Sequence, residues 1–220
     1  LQMLWHRLPA DFTPAPSREL PVPHSLTRVQ AEGSGPEYSW VGPLARAAGT
    51  VIHAELDRLA RLGTDAIDSL PHRLVACAAR LREQGIDAAT AQDTASRIVE
   101  RLAELVRERE AHWLLFGAHR ESHSEVQLSG LVDGTLRNIV IDRMFVDADG
   151  TRWIIDYKTG VHAGTGLEEF IASELKRYRA QLELYVQLAQ ELGPQPVRAA
   201  LYFPWLGVFR ELPRGAVAAV

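Results

Sequence analysis

The stretch from Ile139 to Gly160, IVIDRMFVDADGTRWIIDYKTG, constrains the fold of this chain more than any other part of the sequence. β-Branched and aromatic residues dominate 139–146 and 153–157, which is typical of strands. Between these runs stands Asp147-Ala148-Asp149-Gly150, a strong signal for a hairpin turn. The stretch therefore predicts two antiparallel strands joined by a tight turn.

The length of this turn determines which side chains of the two strands face each other. With a three-residue loop at 148–150, in which the glycine takes a positive φ, Asp147 pairs with Thr151. In that register Asp142 lies directly opposite Asp156, on the same face of the sheet. A two-residue loop would shift the pairing by one and send Asp142 to the other face. The register is therefore the first structural test of a site at this position.

Three charged groups converge in the first register. Asp156 and Lys158 are two residues apart on one strand and share a face, and Asp142 joins them from the neighbouring strand. Two carboxylates that face each other destabilise a sheet unless a positive charge neutralises them. Carboxylate oxygens are hard ligands that suit Mg²⁺ or Mn²⁺, so the sequence predicts a divalent metal site.

The same residues carry a resemblance to a known family. An Asp, a hairpin and then Asp-Tyr-Lys-Thr-Gly at 156–160 resemble the PD-(D/E)xK nuclease superfamily. "IDR" followed by "DYKTG" resembles its RecB-like branch, the C-terminal nuclease domain of AddA and RecB type (UvrD-like) helicase-nucleases. Gln181-x-x-x-Tyr185 downstream and Gly49-Thr50-Val51-Ile52-His53 upstream are similar to two further elements of the family. The resemblance covers about 40–209, most of the chain.

The resemblance implies roles for individual residues. Catalysis is expected of five side chains: Asp142, Asp156, Lys158, Gln181 and Tyr185. One or two Mg²⁺ ions, or Mn²⁺ in their place, are expected to be held by His53, Asp142, Asp156 and the backbone carbonyl of Tyr157. Lys158 would position or activate the attacking water and stabilise charge on the phosphoryl oxygens. Gln181 and Tyr185, four residues apart on one helix, would position the substrate or Lys158.

Two candidate ligands have an alternative interpretation. His53 lies beside the apolar stripe of its helix, where it could instead be a partly buried histidine bonded to Asp57 one turn later. Glu125 begins a strand, and in some relatives an acid near this point assists the metal site; a plain charge at a strand edge is the alternative. No metal site is predicted among three further histidines, because no cysteine or acidic pair stands at ligand spacing from them: His112, His119 and His123.

The remaining periodicity predicts an α/β domain. Apolar helical stripes precede the hairpin, and a long helix after it crosses over to two closing strands. The predicted helices span 44–62, 69–84, 87–110 and 167–192. The predicted strands span 126–131, 139–146, 153–157, 197–203 and 208–212. This order predicts a mixed central β-sheet flanked by helices, with an N-terminal helical portion, and the resemblance implies a restriction-endonuclease-like nuclease core.

Composition narrows the class of protein further. With 220 residues, 46% of them hydrophobic and 24% charged, the chain matches one globular domain. A net charge of −4 gives no general attraction to nucleic acid, so phosphate-binding groups must be local. The single Cys77 excludes a disulfide within the chain and the four-cysteine iron–sulfur cluster of some relatives. We expect a cytoplasmic protein without membrane attachment, since no apolar run reaches the roughly 20 residues of a membrane span.

The proline pattern predicts the domain organisation, and the resemblance implies a biological role. Seven prolines within 1–43 predict a connector, with 44–220 as the nuclease domain. The resemblance implies a metal-dependent DNA exonuclease that processes double-strand-break ends for recombinational repair. Its partners would be single-stranded or duplex DNA ends, a helicase motor in the same full-length protein and an AddB-like subunit; no ATP-binding GxxxxGK[ST] motif occurs in this sequence. The alternative is a catalytically inactive nuclease-fold module that binds DNA or a partner subunit.

Overall fold

The computed structural model describes residues 42–160 and 166–213 of the chain. Residues 1–41, which contain nearly all of the predicted connector, lie outside the described residues, as do 161–165 of the loop after Gly160. No helix in the described ranges is long and apolar enough to cross a membrane.

In the described part of the chain, helices come first, a β-sheet follows, and one long helix crosses over between two strands of that sheet. The helices are α1 (Pro43–Leu62), α2 (Leu74–Glu83), α3 (Ala88–Leu105), α4 (Arg109–Phe116) and α5 (Leu167–Gln190). The strands are β1 (Arg120–Val132), β2 (Thr135–Val146), β3 (Arg152–Tyr157), β4 (Val197–Phe203) and β5 (Val208–Glu211). Short 3₁₀ turns connect α1 to α2 at Gly63–Ala66 and Leu70–Arg73.

The strands form one mixed sheet in the order β1-β2-β3-β4-β5. Neighbouring strands are antiparallel except β3 and β4, which run parallel because α5 carries the chain across between them. Each face of the sheet has its own apolar core. Trp153 and Ile155 pack with residues of α1 to α4 on one face, whereas Ile154 packs with α5 on the other. The predicted α/β fold, a mixed sheet flanked by helices, is confirmed.

The hairpin between β2 and β3 has the three-residue loop that the sequence predicts. The N–H of Asp147 donates to the carbonyl of Thr151 at 2.9 Å, and Gly150 has a φ of 81°. The four residue pairs of the ladder keep the predicted register. Continued by one pair, this register sets Asp142 opposite Asp156.

The predicted single helix at 87–110 is wrong at its C-terminal end. α3 ends at Leu105, Glu108 takes an extended backbone, and α4 follows as a separate helix. The cause is a tertiary contact. Arg101 donates from Nε to the carbonyl of Pro204 at 2.7 Å, and its Nη2 lies 2.7 Å from Oε1 of Glu108. These contacts beside the β4–β5 turn outweigh the helix propensity of an Arg- and Glu-rich stretch.

The predicted helix at 69–84 also begins differently. Its first turn, around Pro71, is a 3₁₀ turn, and the regular helix α2 starts at Leu74. Proline has no N–H to donate, and its ring restricts the backbone of the residue before it. The apolar stripe itself is as expected, because Leu70, Cys77 and Leu81 are all buried.

Candidate active site

The strand pair β2–β3 ends in a side-chain contact instead of a ladder hydrogen bond. Oδ2 of Asp142 accepts a hydrogen bond from the N–H of Tyr157 at 2.6 Å. The residue before Tyr157 is Asp156, so the two predicted acids meet at the same end of the strand pair. A hydrogen bond from a backbone amide to a carboxylate is short and strong, and it holds the Asp142 carboxylate in a defined place.

His53 reaches this strand end from α1. Its Nδ1 lies 3.6 Å from Oδ1 of Asp142, and its ring meets the ring of Tyr157 edge-on, with the centroids 5.5 Å apart. Asp57, the partner considered in the alternative interpretation, forms an ion pair with Arg61 at 3.2 Å. The helix therefore presents His53 to the acid on β2.

A close contact between α1 and the end of β3 accompanies this arrangement. A Cβ atom added at Gly49 would lie only 2.6 Å from Oγ1 of Thr159. Gly49 is one helical turn before His53, so the absence of a side chain there lets the helix approach the Lys158-Thr159 segment closely. This glycine belongs to the upstream element that carries the resemblance.

Glu125 is the third ligand candidate at this place. In the β1–β2 register, Ser124 pairs with Arg143 and Val126 with Ile141, so Glu125 lies opposite Asp142. Its backbone has a φ of 52°, an uncommon conformation for a residue with a side chain and one that recurs at functional sites. One ligand atom from each of Glu125, His53 and Asp142 lies within 4.8 Å of the others.

Asp156 is buried and engaged on both carboxylate oxygens. Oδ2 forms an ion pair with Nζ of Lys158 at 2.6 Å, and Oδ1 accepts a hydrogen bond from Nε2 of Gln181 at 3.1 Å. Gln181 Nε2 also donates to the hydroxyl oxygen of Tyr185 at 2.7 Å. The two residues of the downstream motif thus form a short chain of hydrogen bonds that ends on Asp156.

Sequence reasoning missed one neighbour of Lys158. Nζ of Lys158 lies 3.6 Å from the ring centroid of Tyr178 on α5, within the range of a cation–π contact. Tyr178 stands three residues before Gln181, so both side chains occupy the same side of the helix. That spacing was the signal available in the sequence.

The pKa values of three groups at this strand end are raised. Burial raises the pKa of Asp156 to about 6, with Lys158 opposing the shift and Asp142 adding to it. Burial and then the charge of Asp142 raise the pKa of Glu125. Burial alone would lower the pKa of His53, but attraction to Asp142 outweighs it and the pKa is raised. Each group therefore binds a proton more tightly than usual.

We refer to Glu125, Asp142 and Asp156, together with His53 and Lys158, as the acidic cluster. The cluster contains three carboxyl groups, one lysine and one histidine, so the acidic groups outnumber the basic ones. An imidazole nitrogen and carboxylate oxygens are a competent ligand set for Mn²⁺, and the carboxylates also suit Mg²⁺. The residues present therefore fit a divalent cation.

Comparison with known protein families agrees with this chemistry. The family model described as the PD-(D/E)XK nuclease superfamily matches residues 30–212 of the sequence. The chain belongs to the PD-(D/E)XK nuclease superfamily. The predicted superfamily is confirmed, the chain is a nuclease-type domain, and nucleases of this superfamily typically use divalent metal ions.

Other comparisons contribute less about this PD-(D/E)XK domain. The crystal structure of protein VC1899 from Vibrio cholerae is similar at 12% sequence identity over 73% of this chain, with a TM-score of 0.26. The chain spans about half, 47%, of the length of that protein. No curated protein sequence matches the chain significantly.

The structure brings the predicted site residues of this PD-(D/E)XK domain together from four elements. α1 supplies His53, β2 supplies Asp142, the end of β3 supplies 156–158, and α5 supplies Gln181 and Tyr185. Their catalytic and ligand roles remain predictions. Glu125, from β1, is the third potential metal ligand beside His53 and Asp142. Asp156 instead contacts Lys158 and Gln181.

The three further histidines have other surroundings. Nε2 of His119 lies 2.6 Å from the carbonyl oxygen of Trp113, and the His119 ring stacks on Phe145 with centroids 3.8 Å apart. His112 lies in α4 with its ring against Phe116, and His123 lies in β1. Within the described ranges, the group of three metal-ligating side chains contains none of them.

Proposed function

We propose that this domain is a divalent-metal-dependent deoxyribonuclease that hydrolyses phosphodiester bonds. The observation that carries the proposal is the meeting of His53, Glu125 and Asp142 within 4.8 Å, beside the ion pair of the buried Asp156 with Lys158. Metal ligands and a lysine at one strand end are groups that can catalyse the hydrolysis of a phosphodiester. Membership of a nuclease superfamily supports the same reaction.

The side chains divide into those that hold the ion and those that act on the substrate. His53, Glu125 and Asp142 would hold it, with Asp156 and the backbone carbonyl of Tyr157 as further ligands. A bound divalent ion lowers the pKa of its water and neutralises charge on the phosphate. The hydrogen bond from the N–H of Tyr157 already fixes the Asp142 carboxylate at this place.

Lys158 would act directly on the reacting groups. Its ammonium can orient the attacking water and donate hydrogen bonds to phosphoryl oxygens as their negative charge grows. Gln181 would keep Asp156 in place through the hydrogen bond to Oδ1, and Tyr185 would orient the Gln181 amide. The motif Gln181-x-x-x-Tyr185 would therefore act on the reaction indirectly, through the position of Asp156.

A narrower biological role is also proposed. The "IDR", "DYKTG" and Gln181-x-x-x-Tyr185 elements favour the RecB-like branch, with Mg²⁺ as the ion and DNA ends as the substrate of an exonuclease. Residues 44–220 would form the nuclease domain after a connector at 1–43. A helicase motor in the same full-length protein and an AddB-like subunit would deliver DNA in a cytoplasmic complex for recombinational repair.

A cleavage assay tests the proposal. End-labelled single-stranded and duplex DNA are incubated with the purified chain and Mg²⁺, Mn²⁺ or a chelator. The sequence contains only two lysines, so Lys176→Ala, an exposed change on α5, is a matched control for Lys158→Ala. We expect metal-dependent cleavage by the wild type and by Lys176→Ala, and none by Lys158→Ala.

The remaining outcomes are equally informative. Absence of cleavage with normal Mn²⁺ binding by calorimetry would mean that the domain needs its motor to present DNA. Absence of both cleavage and metal binding would contradict the proposal and favour the inactive nuclease-fold module. Cleavage that persists in Lys158→Ala would contradict the role given to Lys158.

A further inference from the structure

Lys158 has two different kinds of neighbour. Its Nζ lies 2.6 Å from Oδ2 of Asp156 and 3.6 Å from the ring centroid of Tyr178. The first neighbour is an anion and the second is a neutral ring with a negative face. The ammonium is therefore held from two sides, by β3 and by α5.

Tyr178 belongs to one strip of α5 that supports the acidic cluster. Tyr178, Gln181 and Tyr185 recur at spacings of three and four residues, which places them along one side of the helix. Gln181 holds Oδ1 of Asp156, while Tyr178 covers the lysine that holds Oδ2. The strip therefore contacts both members of the Asp156–Lys158 pair.

A divalent cation at the acidic cluster would weaken the ion pair that holds Lys158. The cation competes for the charge of Asp156 and repels the ammonium, since like charges at close range disfavour each other. The Tyr178 ring offers no carboxylate oxygen to the metal, so it does not compete for the ion. Its attraction for the ammonium remains when that of Asp156 is reduced.

We propose that Tyr178 is a positioning residue that keeps the Lys158 ammonium in the active site when a metal ion binds. The inference rests on the proposed function, because it assigns the role of Tyr178 to the same reaction. The aromatic ring carries this role, so phenylalanine preserves it and leucine removes it. Arg177 also approaches the Tyr178 ring, with Cζ 5.5 Å from the centroid, and provides a control for a second cation near the ring.

The kinetic test compares Tyr178→Phe, Tyr178→Leu and Arg177→Gln. For Tyr178→Leu we expect a kcat about tenfold lower with little change in KM or melting temperature, since misplacing one group costs the chemical step. Tyr178→Phe and Arg177→Gln should stay within about threefold of the wild type. Wild-type kcat in Tyr178→Leu, with Lys158→Ala inactive, would overturn the inference while leaving the proposed function in place.

A second measurement does not depend on cleavage. The protein has only two lysines, so NMR of lysine-labelled protein gives one set of side-chain signals for Lys158 and one for the exposed Lys176 as an internal reference. We expect a ring-current shift of the Lys158 ε-methylene that persists on addition of Mg²⁺, survives in Tyr178→Phe and disappears in Tyr178→Leu. Loss of this shift on addition of Mg²⁺ to the wild type, or its absence throughout, would overturn the inference even if the domain cleaves DNA.

Discussion

Two groups of charged side chains each include a residue of α1, and these two residues are only two positions apart. Carboxyl pKa values are raised in one group and lowered in the other. One is the acidic cluster, which His53 contacts. The other, the arginine cluster, consists of Glu55, Arg58, Arg73 and Arg80. Glu55 is completely buried, accepts hydrogen bonds from Arg73 at 2.8 and 3.1 Å, and accepts another from Arg58 at 2.9 Å. Arg80 lies 3.7 Å from the same carboxylate.

The direction of the pKa shift separates the two clusters. Burial alone would raise the pKa of Glu55, but hydrogen bonds from Arg73 and Arg58 outweigh it and the pKa is lowered. In the acidic cluster the pKa values of Asp156 and Glu125 are raised. Removing one partner of a buried, paired charge destabilises the fold, whereas buried carboxyl groups with raised pKa values are typical of functional sites.

The largest effects are expected on catalysis within the acidic cluster. Asp156→Ala and Lys158→Ala should each lower cleavage by about 10³-fold or more, because each removes a group that stabilises the transition state. Initial rates on end-labelled DNA measure the loss, and circular dichroism checks that the fold is retained. Either variant cleaving at the wild-type rate would remove the acidic cluster from the reaction.

A change in the arginine cluster should lower stability without affecting the metal site. Glu55→Gln leaves the partly buried Arg58 and Arg73 without a carboxylate, which should lower the free energy of unfolding by about 2–3 kcal/mol. Metal affinity should be unchanged, since Glu55 contacts none of the proposed ligands. Urea denaturation and Mn²⁺ calorimetry on the same variant test the two halves of this prediction. If Glu55→Gln is as stable as the wild type but no longer binds Mn²⁺, the separate roles given to the two clusters are wrong.

The two clusters should also respond differently to pH. The pKa of Asp156 rises from its ordinary 3.8 to about 6 on folding, so metal-free stability should fall as pH increases through this window. Glu55 has a lowered pKa, so its contribution is present above its ordinary 4.5 and is lost as pH falls further. Denaturation at several pH values with a chelator measures both dependences of the free energy of unfolding on pH. Asp156→Asn should weaken the fall in stability with rising pH, and Glu55→Gln should weaken the fall in stability at acidic pH. An unchanged pH dependence in either variant would contradict the assignment.

The smallest expected effect concerns how α1 is placed. Gly49→Ala adds a methyl group 2.6 Å from Oγ1 of Thr159, so we expect cleavage to fall several-fold, about 1 kcal/mol, as the helix shifts His53 from Asp142. The Cβ of Thr159 would be 3.5 Å from the new methyl group, an ordinary contact, so Thr159→Ala should restore activity in the double variant. Additive losses in the double variant would contradict the steric cause.

The parts of the fold that sequence predicts well are those fixed by local geometry. The loop 148–150 sets the β2–β3 register through one glycine and one turn hydrogen bond, and these depend on neighbouring residues alone. The helix after the site is similarly periodic. The end of α3 was mispredicted because it depends on Arg101 meeting Pro204, which is 103 positions away in the chain.

The site shows the same division. Asp142 and Asp156 follow from the hairpin register, and the Gln181-Tyr185 spacing already places both residues on one side of a helix. Helical spacing places Tyr178 on the same side of α5 as Gln181, but it does not show that the ring lies over Lys158, nor that Glu125 has a positive φ. The arginine cluster was missed for this reason too, because its members come from α1, α2 and the turn between them.

The most direct test of the account is a thermal melt with and without Mn²⁺ on wild type, Asp142→Asn and Glu55→Gln. The side-chain amide introduced by Asp142→Asn keeps an oxygen acceptor for the N–H of Tyr157, so the substitution removes charge while preserving that hydrogen bond. We predict that Mn²⁺ raises the melting temperature of the wild type and of the weakened Glu55→Gln. Asp142→Asn should melt slightly higher than metal-free wild type and show no rise with Mn²⁺. A wild type unaffected by Mn²⁺, or an equal rise in Asp142→Asn, would contradict the claim that the acidic cluster is a metal site.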